Sequence, residues 1–482
     1  MSTQIVWLRD DLRVADNPAL NAGVEAAARA GDPLVVVYIL DQESPGIRPL
    51  GGATKWWLHH SLTALADKIT RLGGTLLLRQ GPAHDVIREL ISQTNADGIF
   101  WNRRYGGAER ALDADIKSFA KAAGIDARSF QASVLFEPWT IRTGSGTPYT
   151  VFTPFWKSCV NNQNIPRLPL DAPTALPSAP LAHNGTPLPT DDLNTWGLLP
   201  TAPDWSAGLA HRWSVGENAA QSRLEDFIAT RLTQYAEGRD EPARLVTSEL
   251  SPHLRFGEIS PFQIWHRVEV AKAHGDAAVL KNSIKFMAEV GWREFSYHLL
   301  YHWPDLATVN FDSRFDAFPW GPPDPEDLAA WQQGRTGIPL VDAGMRELWQ
   351  SGTMHNRVRM VAASFLIKNL LVDWRVGEQW FWDTLVDADP ASNAASWQWV
   401  AGSGADAAPY FRVFNPVLQA DKFDPKHEYL HRYLGEYEHP MLSDYPEPIV
   451  NLLESRNRAL AAFAQLQGIP RAIRPAVGVT ER

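Results

Sequence analysis

The sequence predicts two domains of different class: an α/β domain built on a doubly wound parallel sheet and, after it, a large all-α domain. Within residues 1–130, short apolar runs alternate with amphipathic helical patterns, which is typical of a parallel sheet covered by helices. Residues 131–205 include a proline-rich stretch from Arg167, and they predict an interdomain linker. Residues 206–482 contain long helical patterns and almost no strand signal, so we expect a helical domain there.

Four apolar runs predict the strands of the first domain. They are QIVWLR from Gln4, PLVVVYIL over 33–40, TLLLRQG over 75–81 and GIFWNR over 98–103. The second run is almost continuously apolar, as expected for a strand that is buried on both faces. An amphipathic helix is predicted from Trp56 to Gly73, between the second and third runs. Ligands of such sheets bind beyond the carboxyl ends of the strands.

Five long helical patterns predict the main helices of the second domain, and they begin at Glu217, Ser260, Ala277, Pro339 and Met354. Helical spacing groups polar and aromatic residues on shared faces of two of them. One face holds Glu289, Trp292 and Arg293, and another holds Asn356, Arg359 and Met360. The first face is either a binding surface or a surface ion pair beside a core tryptophan. Arg357 points away from Arg359, so the two arginines could bind two different ligands. Alternatively, Arg357 is solvated and the Arg359 side chain packs along the core.

Composition and charge exclude several classes of protein. The chain is 45% hydrophobic and 21% charged, which is typical of a globular protein. It has no apolar run long enough to span a membrane. The single cysteine, Cys159, excludes an internal disulfide and a multi-cysteine metal site, and it fits a reducing cytoplasm. We expect no metal, because HExxH, P-loop and GxSxG motifs are absent from the sequence. A net charge of −10 argues against non-specific wrapping of nucleic acid but allows a local basic patch.

The segment from Trp374 to Tyr410 is unusually rich in tryptophan. It contains Trp374, Trp380, Trp382, Trp397 and Trp399, together with Asp387, Asp389 and Asn393. Packing alone rarely requires so many indoles in so short a segment. Carboxylates and an amide between the rings indicate that a flat, polar molecule binds there.

These motifs resemble the photolyase/cryptochrome family over essentially the whole chain. The matching motifs are VWLRDDLRVADNPAL, YAEGRD, TSELSPHLRFGEISP, WREF, TGIPLVDAGMREL, MHNRVRM and DWRVGEQWFW…DADPASNAASWQW…APYFRVFNP. Within the family, the chain is most similar to the branch of cyclobutane pyrimidine dimer photolyases that is related to plant cryptochromes. The resemblance implies an α/β antenna domain and a helical domain that binds FAD.

The resemblance also implies which residues hold the FAD. They are Tyr235, Thr247, Ser248, Leu250, Ser251, Phe286, Arg293, Asn356, Arg359, Asp387, Asp389 and Asn393. Asn393 falls where the family places the residue beside the reactive nitrogen of the flavin. A buried pair of Arg359 and Asp387 is expected near the flavin ring, where a fixed cation stabilises negative charge. The electron chain of the family corresponds to Trp397, Trp374 and Trp320, with Trp303 or Trp331 as alternatives for its surface end.

Further residues match positions that bind the DNA lesion in the family. Glu289, Trp292, Met360 and Trp399 match those that grip the dimer, and Arg239, Arg357, Arg412 and Gln419 match contacts to the flanking phosphates. The implied function is light-driven repair of pyrimidine dimers in DNA. A cryptochrome-type photoreceptor is the main alternative. A nucleotide-binding α/β protein with a helical interaction domain is a third.

A second chromophore is expected in the first domain. Methenyltetrahydrofolate is favoured and an 8-hydroxy-5-deazaflavin is the alternative; Glu109 matches a folate contact of the family, and Ala108 stands where the family has asparagine. We further expect a monomer in the cytoplasm that acts on DNA and not at a membrane.

Overall fold

The computed structural model describes residues 2–161, 165–177, 182–183, 186–407, 411–435 and 445–477. In these residues the chain forms a parallel sheet with helices on both sides, a linking segment and a helical domain. None of the helices in the described ranges is long and apolar enough to cross a membrane.

The sheet has five parallel strands in the order β3-β2-β1-β4-β5. They are β1 (Thr3–Leu8), β2 (Leu34–Leu40), β3 (Leu76–Gln80), β4 (Ala96–Asn102) and β5 (Asp126–Phe130). The first four lie where apolar runs predict them. The fifth was missed, because the sequence DARSF at the sheet edge contains no buried residue and no apolar run. The strand is defined by its parallel pairing with β4, and this is information that a local sequence pattern lacks.

Helices α1 to α4 alternate with these strands: α1 (Pro18–Ala30), α2 (Gly52–Arg71), α3 (Ala83–Thr94) and α4 (Gly107–Ala122). Helix α2 begins four residues before the predicted Trp56. The buried side chains of the strands pack against these helices in two clusters, one on each face of the sheet. The predicted doubly wound sheet is therefore confirmed.

The segment 131–205 contains more regular structure than its composition predicts. It holds helix α5 (Phe152–Asn161), the short strands β6 (Ala182–His183) and β7 (Thr186–Pro187), and a 3-10 turn at Leu193–Trp196. Helix α5 packs against the helical domain through Phe155 and Cys159, which belong to the same core cluster as the long helix near residue 290.

The helical domain follows, and its bounds are α6 (Ala207–Arg212), α7 (Glu217–Asp226), α8 (Tyr235–Gly238), α9 (Ser251–Arg255), α10 (Pro261–His274), α11 (Ala277–His302), α12 (Pro325–Gln333), α13 (Pro339–Ser351), α14 (Asn356–Ser364), α15 (Trp374–Thr384), α16 (Ser392–Ala401), α17 (Pro416–Phe423), α18 (Glu428–Tyr433) and α19 (Leu452–Ala464). Two of these helices begin at side-chain caps. Ser260 and Gln263 form a capping box at the start of α10, and Asp276 caps α11.

Two of the predicted helices are interrupted. After α7 the chain passes through a π turn at Phe227–Arg231 and a 3-10 turn at Leu232–Gln234 before α8. After α14 a second π turn, Phe365–Asn369, ends the helix. Neither interrupted segment contains a proline or a glycine that would predict the break. Helical periodicity alone therefore predicts a regular helix in both places.

Polar contacts join the two domains. Arg255 forms an ion pair with Asp10 at 2.8 Å, and the indole of Trp57 donates to Glu258 at 3.1 Å. Glu217 accepts from the backbone amides of Val14 and Ala15, each at 3.0 Å. One apolar cluster contains residues of both domains. The helical domain is thereby fixed against the sheet.

Candidate active site

A cavity of about 610 Å³ lies between helices α8, α9, α11, α14 and α16. Most of the predicted site residues line it, although they come from segments up to 164 residues apart, between Tyr235 and Trp399. These residues are Tyr235, Arg239, Ser248, Leu250, Ser251, Phe286, Glu289, Trp292, Arg293, Asn356, Arg357, Arg359, Met360, Asp387, Asp389, Asn393, Trp397 and Trp399. The fold therefore brings the predicted cofactor and lesion residues to one site.

Six predicted residues do not line this cavity: Thr247, Trp374, Trp320, Arg412, Gln419 and Glu109. Thr247 directly precedes the lining residue Ser248, and its carbonyl accepts from Arg231 at 3.3 Å. The other five residues lie outside the wall of this cavity.

An ion pair between Arg359 and Asp387 lines the cavity; Asp387 is buried, whereas Arg359 is half-buried, so the predicted burial holds for the carboxylate alone. Two nitrogens of the Arg359 guanidinium lie 3.1 and 3.0 Å from the two carboxylate oxygens, and Ser251 donates to the same carboxylate at 2.6 Å. The third guanidinium nitrogen donates to the carbonyl of Met354 at 2.7 Å. This two-pronged geometry fixes the plane of the guanidinium. The predicted pairing of Arg359 with Asp387 is present.

Asp389 is held mainly by backbone amides at the start of α16. It accepts from the amides of Ala391 and Ser392 at 2.9 and 2.7 Å, and from the phenol of Tyr297 at 2.7 Å. Arg293 lies over the Tyr297 ring at 4.6 Å and donates to the carbonyl of Ser133 at 2.6 Å. Asp389 and Arg293 are therefore rigid parts of the wall.

Asn393 faces the cavity from α16, and its amide group is fixed from behind. Nδ2 donates to the Oε1 and the main-chain carbonyl of Glu378, at 2.8 and 3.1 Å. Glu378 in turn binds both terminal nitrogens of Arg48, at 2.7 and 2.8 Å. Arg48 belongs to the α/β domain, so this chain of contacts crosses the domain interface.

Charged residues also line the mouth of the cavity. Glu289 forms an ion pair with Arg239, and Lys285, one turn earlier on α11, lies 3.3 Å from the same carboxylate. Arg357 pairs with Asp240 at 2.9 Å. Arg357 and Arg359 therefore both border the cavity, and they pair with different carboxylates.

Aromatic side chains form the apolar walls. The Trp292 ring stacks on Phe152 of α5 with centroids 3.8 Å apart and planes 11° apart. Phe286 packs between Phe227 and Tyr235, at 4.6 and 5.4 Å. Trp292 is thus positioned by the linking segment, which gives that segment a role in the site.

The predicted electron chain leads from the cavity wall into the core. Trp397 lines the cavity and contacts Phe381 at 4.9 Å. Trp374 is fully buried, and its indole donates to Asn310 at 2.9 Å. Trp320 is half-buried and packs on Phe318 at 4.2 Å.

The three candidates for the surface end differ in exposure. Trp331 is 0% exposed and Trp303 is 8% exposed, whereas Trp320 is only half-buried. A parallel bridge between Gly321 and Val372 places Trp320 beside the segment that leads into Trp374. Burial and this bridge favour Trp320.

Arg412 and Gln419 lie outside the cavity, on the segment that precedes α17 and on α17 itself. Arg412 is exposed, and Gln419 is half-buried. Helix α17 reaches the mouth through Phe423, whose ring lies 4.3 Å from the Arg357 guanidinium. A ligand that is longer than the cavity could therefore contact α17.

Glu109 borders a second, much smaller cavity. This cavity of about 20 Å³ lies between the domains and is lined by Asp10, Arg104, Arg255 and Arg293 among others. A space of that size holds about one water molecule. The folate contact that the resemblance implies for Glu109 stays a prediction.

His355 caps α14 by accepting from the backbone amide of Arg357 at 3.2 Å. Burial lowers its pKa to about 4, so the ring is neutral near pH 7. Its place at the helix start gives it a structural role. Among the described residues, no group of three or more His, Cys, Asp or Glu side chains is placed to hold a metal.

Four residues of the site were not found from the sequence: Asp240, Lys285, Tyr297 and Glu378. Lys285 has a local signal, because it is four residues before Glu289 on the same helix. Glu378 has none, since its partner Arg48 is 330 residues away.

The chain matches two families of known proteins. The family described as DNA photolyase matches residues 4–177, and that described as FAD binding domain of DNA photolyase matches residues 286–465. A deoxyribodipyrimidine photo-lyase of Agrobacterium fabrum is 48% identical over 96% of this chain and 98% of its own length. Cryptochrome-1 of Arabidopsis thaliana is 35% identical over 98% of this chain and 72% of its own length.

A solved structure is similar throughout. The crystal structure of a bacterial class III photolyase from Agrobacterium tumefaciens has a TM-score of 0.90 and 46% identity, and the match covers 97% of this chain and 98% of that one. Both the sheet domain and the helical domain are thus those of a known fold, as the sequence motifs predict. The chain belongs to the photolyase/cryptochrome family.

Proposed function

We propose that the protein is a deoxyribodipyrimidine photo-lyase, which uses light and FAD to split cyclobutane pyrimidine dimers in DNA. One observation carries the proposal: Glu289, Trp292, Met360 and Trp399 line the same cavity as the Arg359–Asp387 pair and Asn393. In this proposal, the site for the lesion adjoins the site for the flavin. The Agrobacterium relative, at 48% identity, supports this enzyme class more strongly than the Arabidopsis cryptochrome at 35%.

The residues of the cavity fit FAD. Its volume, about 610 Å³, is within the range of small-molecule sites, and its walls combine aromatic rings with hydroxyls and cations. Ser248 and Ser251 are suited to phosphate oxygens at the start of α9, and Phe286 and Tyr235 to a flat ring. Arg359 and Asn393 would face the flavin, where a cation and a fixed amide favour its reduced form.

The lesion must leave the duplex to reach this cavity. Photolyases generally flip the target nucleotide out of the base stack in this way. Trp292 and Trp399 would stack on the two joined pyrimidines, and such stacking is worth about 1–3 kcal/mol per base. Met360 would close the apolar side. Because Trp292 is already held flat by Phe152, its ring needs no rearrangement to receive the lesion.

Bound FAD in its reduced form supplies, on excitation by light, the electron that opens the cyclobutane ring and is afterwards returned. Glu289 would hydrogen-bond the pyrimidine and stabilise the charge that develops on it. To do so, it must exchange its contacts with Arg239 and Lys285, and Arg239 is then free for a phosphate. Trp397, Trp374 and Trp320 would return electrons to an oxidised cofactor.

We further propose that the protein acts as a monomer in the cytoplasm, and that an antenna chromophore accompanies the FAD. Methenyltetrahydrofolate is preferred over an 8-hydroxy-5-deazaflavin. The absorbance of the purified protein distinguishes the two pigments, and gel filtration with light scattering gives its mass in solution.

The test is repair of a thymine-dimer oligonucleotide by the reduced, flavin-bound protein under blue light, beside a dark control. The intact protein should restore thymine absorbance only in the light. Glu289→Ala should slow repair by about ten- to hundredfold, because a hydrogen bond to a charged group is worth about 1.5–3 kcal/mol. Glu225→Gln is a matched control, since this glutamate is exposed on α7 and pairs with Arg267.

Two results would contradict the proposal. Protein that binds and photoreduces flavin but repairs nothing would be a cryptochrome-type receptor. Protein purified without any flavin would exclude both functions.

A further inference from the structure

The polar chain Arg48–Glu378–Asn393 connects the α/β domain to the large cavity. Arg48 binds both oxygens of Glu378 at 2.7 and 2.8 Å, and Glu378 Oε1 accepts from Asn393 Nδ2 at 2.8 Å. Glu378 is only 3% exposed, while Asn393 lines the cavity. A side chain of the sheet domain thus acts on a cavity residue through one intermediate.

The orientation of the Asn393 amide follows from the charge of Glu378. A carboxylate bound by two guanidinium nitrogens is ionised, and an ionised carboxylate only accepts hydrogen bonds. The NH₂ end of Asn393 must therefore face Glu378, where it donates to both the side chain and the main-chain carbonyl. The amide oxygen is left as the group that Asn393 offers to a ligand in the cavity.

Arg48 is itself held in place by contacts on helix α15. Its guanidinium lies 4.0 Å from the Trp382 ring centroid and donates to Gln379 at 2.8 Å. The loop around it is fixed to the same helix, because Trp382 donates to the carbonyl of Pro49 at 2.9 Å. At Gly51 a Cβ atom would lie 2.2 Å from the carbonyl oxygen of Trp382, so only glycine allows this approach.

We propose that Arg48 is a positioning residue for the cofactor: by keeping Glu378 ionised, it holds the Asn393 carbonyl toward the flavin. The inference rests on the proposed function, in which the cavity contains FAD. A carbonyl oxygen accepts a hydrogen bond from a protonated ring nitrogen and so retains the proton on the reduced ring. Docking of the α/β domain thereby adjusts the reactivity of a flavin that this domain does not touch.

Loss of Arg48 would release the amide. A buried carboxylate without its cation is strongly disfavoured and takes up a proton. Protonated Glu378 can donate as well as accept, so only its main-chain carbonyl still requires a donor, and the NH₂ end of Asn393 is held less firmly away from the cavity. Arg48→Met and Glu378→Gln should therefore have the same effect on the flavin, although the two residues belong to different domains.

The experiment uses flavin-bound protein that has been photoreduced, and it measures how fast the flavin reoxidises in air in the dark. Its reduction potential is measured alongside. Arg48→Met and Glu378→Gln should each accelerate reoxidation by about tenfold, the effect of about one charge-assisted hydrogen bond. The double variant should be no faster than either single variant, because both changes release the same amide.

Two control variants separate this effect from a looser interface. Arg48→Lys keeps a cation beside Glu378 and should restore much of the wild-type rate. Asp383→Ala removes the bond from the Gly52 amide, 2.8 Å long, without touching Glu378, and should reoxidise like the wild type. Thermal unfolding of every variant shows whether the domains remain docked.

Three results overturn the inference. They are a wild-type reoxidation rate in Arg48→Met or in Glu378→Gln, additive effects in the double variant, and equal acceleration by Asp383→Ala. If Arg48→Met does not retain flavin, Glu378→Gln alone decides. Failure of the proposed function is distinct, because the wild-type protein would then contain no flavin to reoxidise.

Discussion

Four arginines line the large cavity, and each lies within ion-pair distance of a carboxylate. The pairs are Arg239 with Glu289, Arg293 with Glu294, Arg357 with Asp240 and Arg359 with Asp387. A buried charge without a partner costs several kcal/mol, so the site holds its cations in compensated form. A ligand phosphate must therefore replace a carboxylate rather than meet a free cation, and the replaced carboxylate becomes available for other contacts.

The surface end of the electron chain can be tested at single tryptophans. Trp320→Phe should reduce the rate at which an external reductant and light reduce the bound flavin to a small fraction of the wild-type rate, because phenylalanine is much harder to oxidise than tryptophan. Trp303→Phe should leave the rate nearly unchanged, since Trp303 is buried and donates to the Arg474 carbonyl. The measurement is flavin bleaching under constant blue light. Slow bleaching in Trp303→Phe alone would move the end of the chain to that residue.

The residues of the site were predictable from the sequence to different degrees. Asp387, Asp389 and Asn393 stand in one short motif, and its tryptophans make the motif conspicuous. Tyr297 and Glu378 do not belong to any such motif. Each acts through a partner in another segment, Asp389 for Tyr297 and Arg48 for Glu378, and such pairs are set by the tertiary fold.

At the scale of elements, helix α11 serves two partners. One side presents Glu289 and Trp292 to the cavity. Another side presents Glu294 and His298 to the linking segment, where Glu294 accepts from the amide of Leu135 at 2.8 Å and His298 from that of Tyr149 at 3.1 Å. The helix was correctly predicted, but its second, polar contact was not, because buried polar residues look like surface residues in a sequence.

The titration of Glu294 makes the contact between α11 and the linking segment depend on pH. Burial raises its pKa to about 7 from the usual 4.5. Between pH 4.5 and 7 the folded protein therefore holds a proton that the unfolded chain lacks, and Glu294 contributes less stability as pH rises through this window. Glu294→Gln keeps an acceptor for Leu135 and removes the titration.

The Glu294→Gln variant should gain stability relative to the wild type as pH rises from 4.5 to 8. The full difference is about 3 kcal/mol, since each pH unit is worth about 1.4 kcal/mol. The measurement is chemical denaturation of flavin-bound protein at several pH values. Glu269→Gln is the control, as Glu269 is half-buried and pairs with Lys272 on α10. A stability difference that does not change with pH would show that Glu294 is ionised across this range.

Elements differed in how well the sequence predicts them. Strands β1 to β4 were predictable because each contains a run of at least three apolar residues, while β5 has no such run and is defined by its pairing with β4. The π turn at Phe365–Asn369 follows a helix with no breaking residue and leaves Lys368 buried. Such a distortion reflects packing between segments distant in sequence, and periodicity within one segment does not contain it.

At the scale of the whole molecule, the net negative charge of the protein disfavours binding to its proposed ligand, DNA. The chain carries a net charge of −10, whereas its proposed ligand is a polyanion. Screening at physiological salt over about 8 Å allows a small basic surface to act independently of the total. Binding must then depend on few cations, and the pairs at the cavity mouth reduce that number further, because Arg239 and Arg357 have to leave carboxylates before they meet phosphates.

Arg412 differs from these arginines, and this difference gives a test of the DNA-binding surface. It is exposed and forms no ion pair with any carboxylate that the structure describes. Each phosphate contact contributes about 0.9 to the slope of log affinity against log salt concentration. Arg412→Gln should therefore weaken binding to dimer-containing duplex and lower the slope by about 0.9, as measured by fluorescence anisotropy in the dark at several salt concentrations. Arg29→Gln, an exposed arginine at the end of α1, should change neither quantity. An equal loss in both variants would mean that the total charge, rather than a surface beside the cavity, governs binding.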